Sequence, residues 1–125
     1  MSTYKRVLWV VMLAVSVAAS TQAAEPTPDE MTSLPDYLAM DRKAQLQLIL
    51  DTKRVVMRKI AQTDYVRAKC VVALFDWTDD GRQQLYDTKG LLEAAAVQRP
   101  SWKAEQVITF RIEHSLCPET GKNTN

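Results

Sequence analysis

Two cysteines, one histidine and a pair of adjacent aspartates carry the most obvious chemistry in this 125-residue chain. Cys70 and Cys117 could form a disulfide, act as a redox pair, or join His114 in holding a metal. A redox pair would usually set its cysteines two residues apart. A metal site built from these three residues would need reduced thiols and a fourth ligand. His114 as a general base would need a nucleophile or carboxylate arranged around it, and no G-x-S-x-G, C-x-x-C or H-E-x-x-H pattern supplies one. Asp79-Asp80 sits where a helix starts, so capping accounts for it. The chain has three glycines, and their scatter excludes a phosphate-binding loop. The expectation is a protein that is not an enzyme and has no cofactor and no metal.

The choice among the cysteine chemistries depends on compartment. Lys5 and Arg6 precede a run of apolar and small residues from Val7 to Ala19, which relaxes through Ser20, Thr21 and Gln22 into Ala23-Ala24. That order predicts a cleaved signal peptide over residues 1–23 and a periplasmic or secreted protein. Cleavage after Ala23 leaves Thr21 and Ala23 at the two small-residue positions. The apolar run is 13 residues, short of the ~20 that a spanning helix needs, so no stable membrane anchor is expected. In an oxidising space Cys70 and Cys117 allow one intramolecular disulfide, which closes a loop of 48 residues.

Removing residues 1–23 leaves 102 residues, enough for one domain with a modest core. The mature chain has 14 basic and 15 acidic residues, which argues against nucleic acid as a partner. Residues 24–32 read as a flexible acidic leader. From Ala24 to Asp41 there are five acids and no base. Residues 33–118 read as the helical domain and 119–125 as a polar tail.

The fold class expected is all-α, a small four-helix bundle with one disulfide, preceded by the signal peptide. Ser33, Pro35 and Asp36 make a helix entry, and Asp41 makes a second. After Asp41, Leu46, Ile49, Leu50, Val56, Met57 and Ile60 trace one helix face. Thr63 is the next cap candidate, followed by the stripe Val66, Cys70, Ala73, Leu74 and Trp77, which predicts that Cys70 faces inward. A third helix spans about Arg82 to Gln98, with Leu85, Leu91, Leu92 and Ala95 inside and Gly90 marking a break or a close crossing. The fourth runs from about Ser101 to Leu116, is apolar nearly all round, and places His114 on a face with Val107, Phe110 and Cys117. Val107–Ile112 has strand propensity, but a lone strand would have no partner.

Two surface features bear on partners. Thr52 to Cys70 holds six bases, and Arg54 and Arg58 lie one turn apart on a shared face. Trp77 and Trp102 are bulky rings for so small a core, and such rings anchor protein interfaces. Arg54, Arg58, Trp77 and Trp102 are therefore the candidate partner-binding residues, and a protein partner is expected. In outline the chain resembles small periplasmic acid-stress chaperones, which are exported, helical and held by one disulfide of similar loop length. It departs from them in carrying a full helix before Cys70 and only eight residues after Cys117. Its size and address also resemble exported helical immunity proteins that neutralise cell-wall-degrading toxins. The first likeness implies a conditionally unfolding chaperone, the second an inhibitor or secretion accessory with a dedicated partner.

Overall fold

Four side-chain caps divide the chain, each satisfying an amide that a helix start leaves without an internal partner. The computed structural model describes residues 28–119. A 3-10 turn at Pro28–Glu30 leads to α1 (Leu34–Ala39), where Ser33 Oγ accepts from the Asp36 amide at 3.2 Å. Asp41 Oδ1 accepts from the Ala44 amide at 2.8 Å and starts α2 (Arg42–Ala61). Asp64 Oδ1 accepts from the Arg67 amide at 3.0 Å and starts α3 (Tyr65–Ala73). Thr78 Oγ1 accepts from the Gly81 amide at 3.1 Å and starts α4 (Asp79–Gln98). The last helix, α5 (Ala104–Arg111), continues into a π-helical turn, Ile112–Leu116. Among the described residues there is no strand, only an antiparallel bridge between Ser33 and Lys103.

The all-α class stands, with five α-helices where four main ones are expected, because the Ser33 entry forms a helix of its own. Helix α2 packs on α3 and α5, and α4 packs on α5 and α1. The core is Leu34 and Tyr37 from α1, Ile49, Val56 and Ile60 from α2, Ala68 and Val71 from α3, Leu92 and Ala95 from α4, and Val107, Ile108 and Ile112 from the last segment. Residues 1–27, which hold the expected signal peptide, and the tail 120–125 lie outside the described residues. The leader's last residue is tied down. The Thr32 amide and hydroxyl donate to the Glu105 carboxylate at 2.8–3.1 Å, and the Thr32 carbonyl accepts from the Ala104 amide at 2.8 Å.

The disulfide forms between Cys70 and Cys117, with Cα atoms 5.9 Å apart. Its orientation corrects the expected one: Cys70 is exposed and Cys117 is 1% exposed. The apolar stripe of the third segment is out of phase except at Leu74. Val66, Cys70, Ala73 and Trp77 face solvent, while Ala68, Val71, Leu74 and Phe75 are buried. Helix α3 also starts from Asp64 rather than Thr63 and stops at Ala73. The stop has two causes. Lys53 Nζ donates to the carbonyls of Val72 and Leu74 at 3.0 and 2.9 Å, and Phe75 takes a left-handed φ of 60°. That conformation is uncommon outside glycine. Burial of the ring and a 3.2 Å bond from the Phe75 amide to Gln84 Oε1 hold it. Trp77 lies beyond this turn and is 89% exposed.

Three further corrections follow from geometry. Leu91 faces outward, whereas Leu92 and Ala95 are buried as expected. The π turn bonds the Cys117 amide to the Ile112 carbonyl at 2.8 Å, five residues back. That wider turn places Cys117 with the buried residues Ile108 and Ile112, while His114 stays outside with Phe110. The segment is thus less enclosed than expected, with Phe110 half exposed. Finally, Gly90 marks neither a break nor a close crossing: α4 runs through it, and a Cβ there would have no neighbour within 4 Å. Gly81 is the crowded glycine, because a Cβ there would collide with the Asp76 backbone and carboxylate. The pair gives opposite expectations. Gly90→Ala should raise stability by about 1 kcal/mol through helix propensity, and Gly81→Ala should lower it by about 1–3 kcal/mol through overpacking. Urea melts of the two variants check both signs.

Tyr37 also has a measurable signature. Its phenol is 1% exposed, and its hydroxyl has no hydrogen-bond partner among the described residues. Burial, with the Glu93 charge adding to it, pushes the Tyr37 pKa from 10.0 up to about 12. The unfolded chain therefore loses this proton first, so stability should fall as pH rises from about 10 through about 12. Tyr37→Phe should remove that alkaline loss and raise stability at pH 7 by up to about 1 kcal/mol, since no buried hydroxyl is left unpaired. Thermal melts from pH 7 to 12 on both proteins test this.

Candidate functional site

Helices α2 and α5 lie side by side with their like ends together. Thr32, ahead of α1, is bonded to Glu105 at the start of α5, and Lys59 near the end of α2 meets Glu113 just past the end of α5 at 3.9 Å. Between them runs a groove of about 850 Å³. Along α2 its lining recurs at Ala44, Leu48, Asp51, Val55 and Lys59, the three-to-four-residue step of one helix face. On the other wall Glu105 and the adjacent pair Thr109 and Phe110 lie on α5, with Trp102 just before it and Glu113 just after it. Met31 and Met40 close the end where the chain enters. On α2 the groove spans Ala44 to Lys59, about 22 Å of helix at 1.5 Å per residue.

Its polar groups are mostly engaged inside the protein. Thr52 donates its hydroxyl to the Leu48 carbonyl at 2.8 Å. Asp51 accepts from Gln47 Nε2 at 2.8 Å and lies 3.6 Å from Arg54. Glu105 is committed to Thr32. What faces the open space is therefore largely apolar: Met31, Met40, Leu48, Val55, Trp102 and Phe110. The α5 wall is aromatic. Trp102 meets Phe110 edge to face at 5.7 Å between centroids, and the His114 ring lies tilted on Phe110 at 4.4 Å. The Arg99 guanidinium sits 5.2 Å from the Trp102 ring centre. Asp51, Glu105 and Glu113 against the single Lys59 leave the lining with a formal net charge of −2. Such a mixture of apolar floor and sparse charge suits binding.

The candidate residues separate in space. Of the four, Trp102 alone lines the groove. Arg54 is exposed and paired with Asp51, Arg58 is exposed, and Trp77 projects into solvent beyond α3. Two members of the basic stretch turn out to hold the fold together. Besides Lys53 at the end of α3, Arg67 donates from Nε to the Cys117 carbonyl at 2.7 Å and from Nη2 to the Glu113 carbonyl at 2.8 Å. Leu48 and Val55 lie off the expected apolar stripe of α2, but their spacing from Ala44 and Lys59 marks a second face of the helix. Among the described residues no group of three or more His, Cys, Asp or Glu is placed to hold a metal. None of the described helices is long and apolar enough to cross a membrane. No protein-family model matches the chain, and searches of curated proteins and of solved structures return no match.

Proposed function

We propose that this chain is a non-enzymatic, exported binding module that receives an amphipathic helix of a protein partner in the groove between α2 and α5. The apolar floor bounded by two parallel helix faces carries the proposal. It offers the surface that an amphipathic helix covers with anchors at i, i+3, i+4 and i+7. The groove's length accommodates about 15 residues of helix. The net negative lining specifies the partner's flanks as basic, since charge complementarity steers approach and rejects acidic competitors. The aromatic wall supplies the anchoring ring, Trp102. Immunity, inhibition and secretion support are all tasks that such a module performs by occupying a partner. The Cys70–Cys117 disulfide fits the exported address expected from residues 1–23.

The test uses two synthetic 14-residue peptides with the same leucine face, one flanked by lysine and one by glutamate. The lysine peptide should bind, and the glutamate peptide should bind at least about tenfold more weakly. Val55→Arg, which fills and charges the half-exposed floor without touching the core, should weaken the lysine peptide by at least about tenfold. Equal binding of both peptides, or no effect of Val55→Arg in a folded variant, would contradict the proposal.

A further inference from the structure

On another side of α2 the chain gathers positive charge around a second hollow, of about 460 Å³. Arg42 and Lys43 open α2, and Arg82 and Lys89 lie on α4 two turns apart, on either side of Leu85 and Tyr86. Leu46 and Leu85, both half-buried, form the floor, and exposed Tyr86 forms the rim. The lining therefore holds four bases and no acid. Among the described residues none of the four bases has an ion-pair or hydrogen-bond partner. Of the acids near them in sequence, Asp41 accepts from the Ala44 amide and Asp87 from Gln83 Nε2 at 2.8 Å, while Asp79 and Asp80, in the first turn of α4, are outside the lining. Like charges that converge on one concavity repel each other, and a bound anion would relieve that repulsion.

We propose that this hollow is a binding site for a phosphate-bearing amphiphile. Arg42 and Arg82 offer planar forks that match phosphate oxygens, and Lys43 and Lys89 add point charges. Leu46 and Leu85 receive the adjoining apolar group, so a bare anion engages only half of the site. Overall charge does not account for such a site, because the mature chain is nearly neutral. The site is also separate from the α2–α5 groove, shares no lining residue with it and takes ligands of the opposite sign. It stands whether or not the groove binds a helix.

The same chemistry has two sources, a soluble phosphate ester or the headgroup of an anionic lipid. Hexyl phosphate, titrated into the mature protein below its micellar concentration, should shift the amide resonances of residues 42–46 and 82–89. It should bind more tightly than inorganic pyrophosphate, and its affinity should fall as salt rises. Arg42→Gln with Arg82→Gln should weaken it by at least about tenfold. Both arginines are exposed, so the variant should keep the parent circular dichroism spectrum and melting temperature. Co-sedimentation with phosphatidylglycerol vesicles and not with phosphatidylcholine vesicles would assign the site to a lipid headgroup. Retained hexyl phosphate binding without co-sedimentation would assign it to a soluble ester. No saturable shift with hexyl phosphate, pyrophosphate binding as tightly, or binding untouched by the double substitution would overturn the proposal.

Discussion

Replacing the disulfide by Cys70→Ser with Cys117→Ala is expected to lower unfolding stability by about 4 kcal/mol, the chain-entropy value for a 48-residue loop. Alanine suits position 117 because a serine hydroxyl there would be buried without a partner. For a domain near 100 residues the melting temperature should fall by roughly 20 °C. Typical domains hold about 5–15 kcal/mol in all, so the variant should remain folded at 25 °C with little margin. Chemical denaturation of oxidised, reduced and substituted protein measures this. Reduced wild type should match the substituted protein. A loss below about 1 kcal/mol would mean that the crosslink constrains little of the unfolded chain.

The second large effect is expected at Arg67. Its side chain is 11% exposed, and its guanidinium holds the carbonyls of Glu113 and Cys117, two of the acceptors that the end of the last helical segment leaves open. Arg67→Met keeps most of the apolar stem and strands both carbonyls. A loss of about 3 kcal/mol is expected, the scale of a charged donor removed from partly buried acceptors. Arg67 and the disulfide secure the same turn from the same helix, so the two losses should not add. Combined in one protein they should fall short of the sum by about 1 kcal/mol or more, a coupling that a double-mutant cycle reads directly. Strict additivity would place the two restraints in independent parts of the fold.

Arg67 and Lys53 also show where sequence pattern stops being informative. Both lie in a basic stretch that resembles a solvated helix side, yet both reach carbonyl groups many residues away. Nothing local distinguishes them from Arg54 or Arg58, which do face solvent. The caps at Ser33 and Asp41 were legible because a cap is a local bond over three residues. The buried face of α2 was legible because large apolar residues mark it. Helix α3 misled for the converse reason. It packs through Ala68 and Val71, and a small residue at a close helix contact gives little hydrophobic signal. Val66 and Trp77 gave a strong signal on the wrong side. The cysteine pairing followed from counting, but the π turn that buries Cys117 and leaves His114 outside has no sequence mark. Trp102 was found as a bulky ring. The groove it lines needed α2 and α5 to be placed side by side, which periodicity alone does not specify.

Trp102 reports from within the groove between α2 and α5 on the proposed binding of a basic amphipathic helix. In a protein of residues 24–125 carrying Trp77→Phe, Trp102 is the sole tryptophan. Titration with the lysine-flanked leucine peptide should shift its emission to shorter wavelength along a saturable curve, as water leaves the ring. Val55→Arg should move that curve to at least about tenfold higher peptide concentration. An emission spectrum unchanged at saturating peptide, or a curve that Val55→Arg leaves in place, would contradict the account.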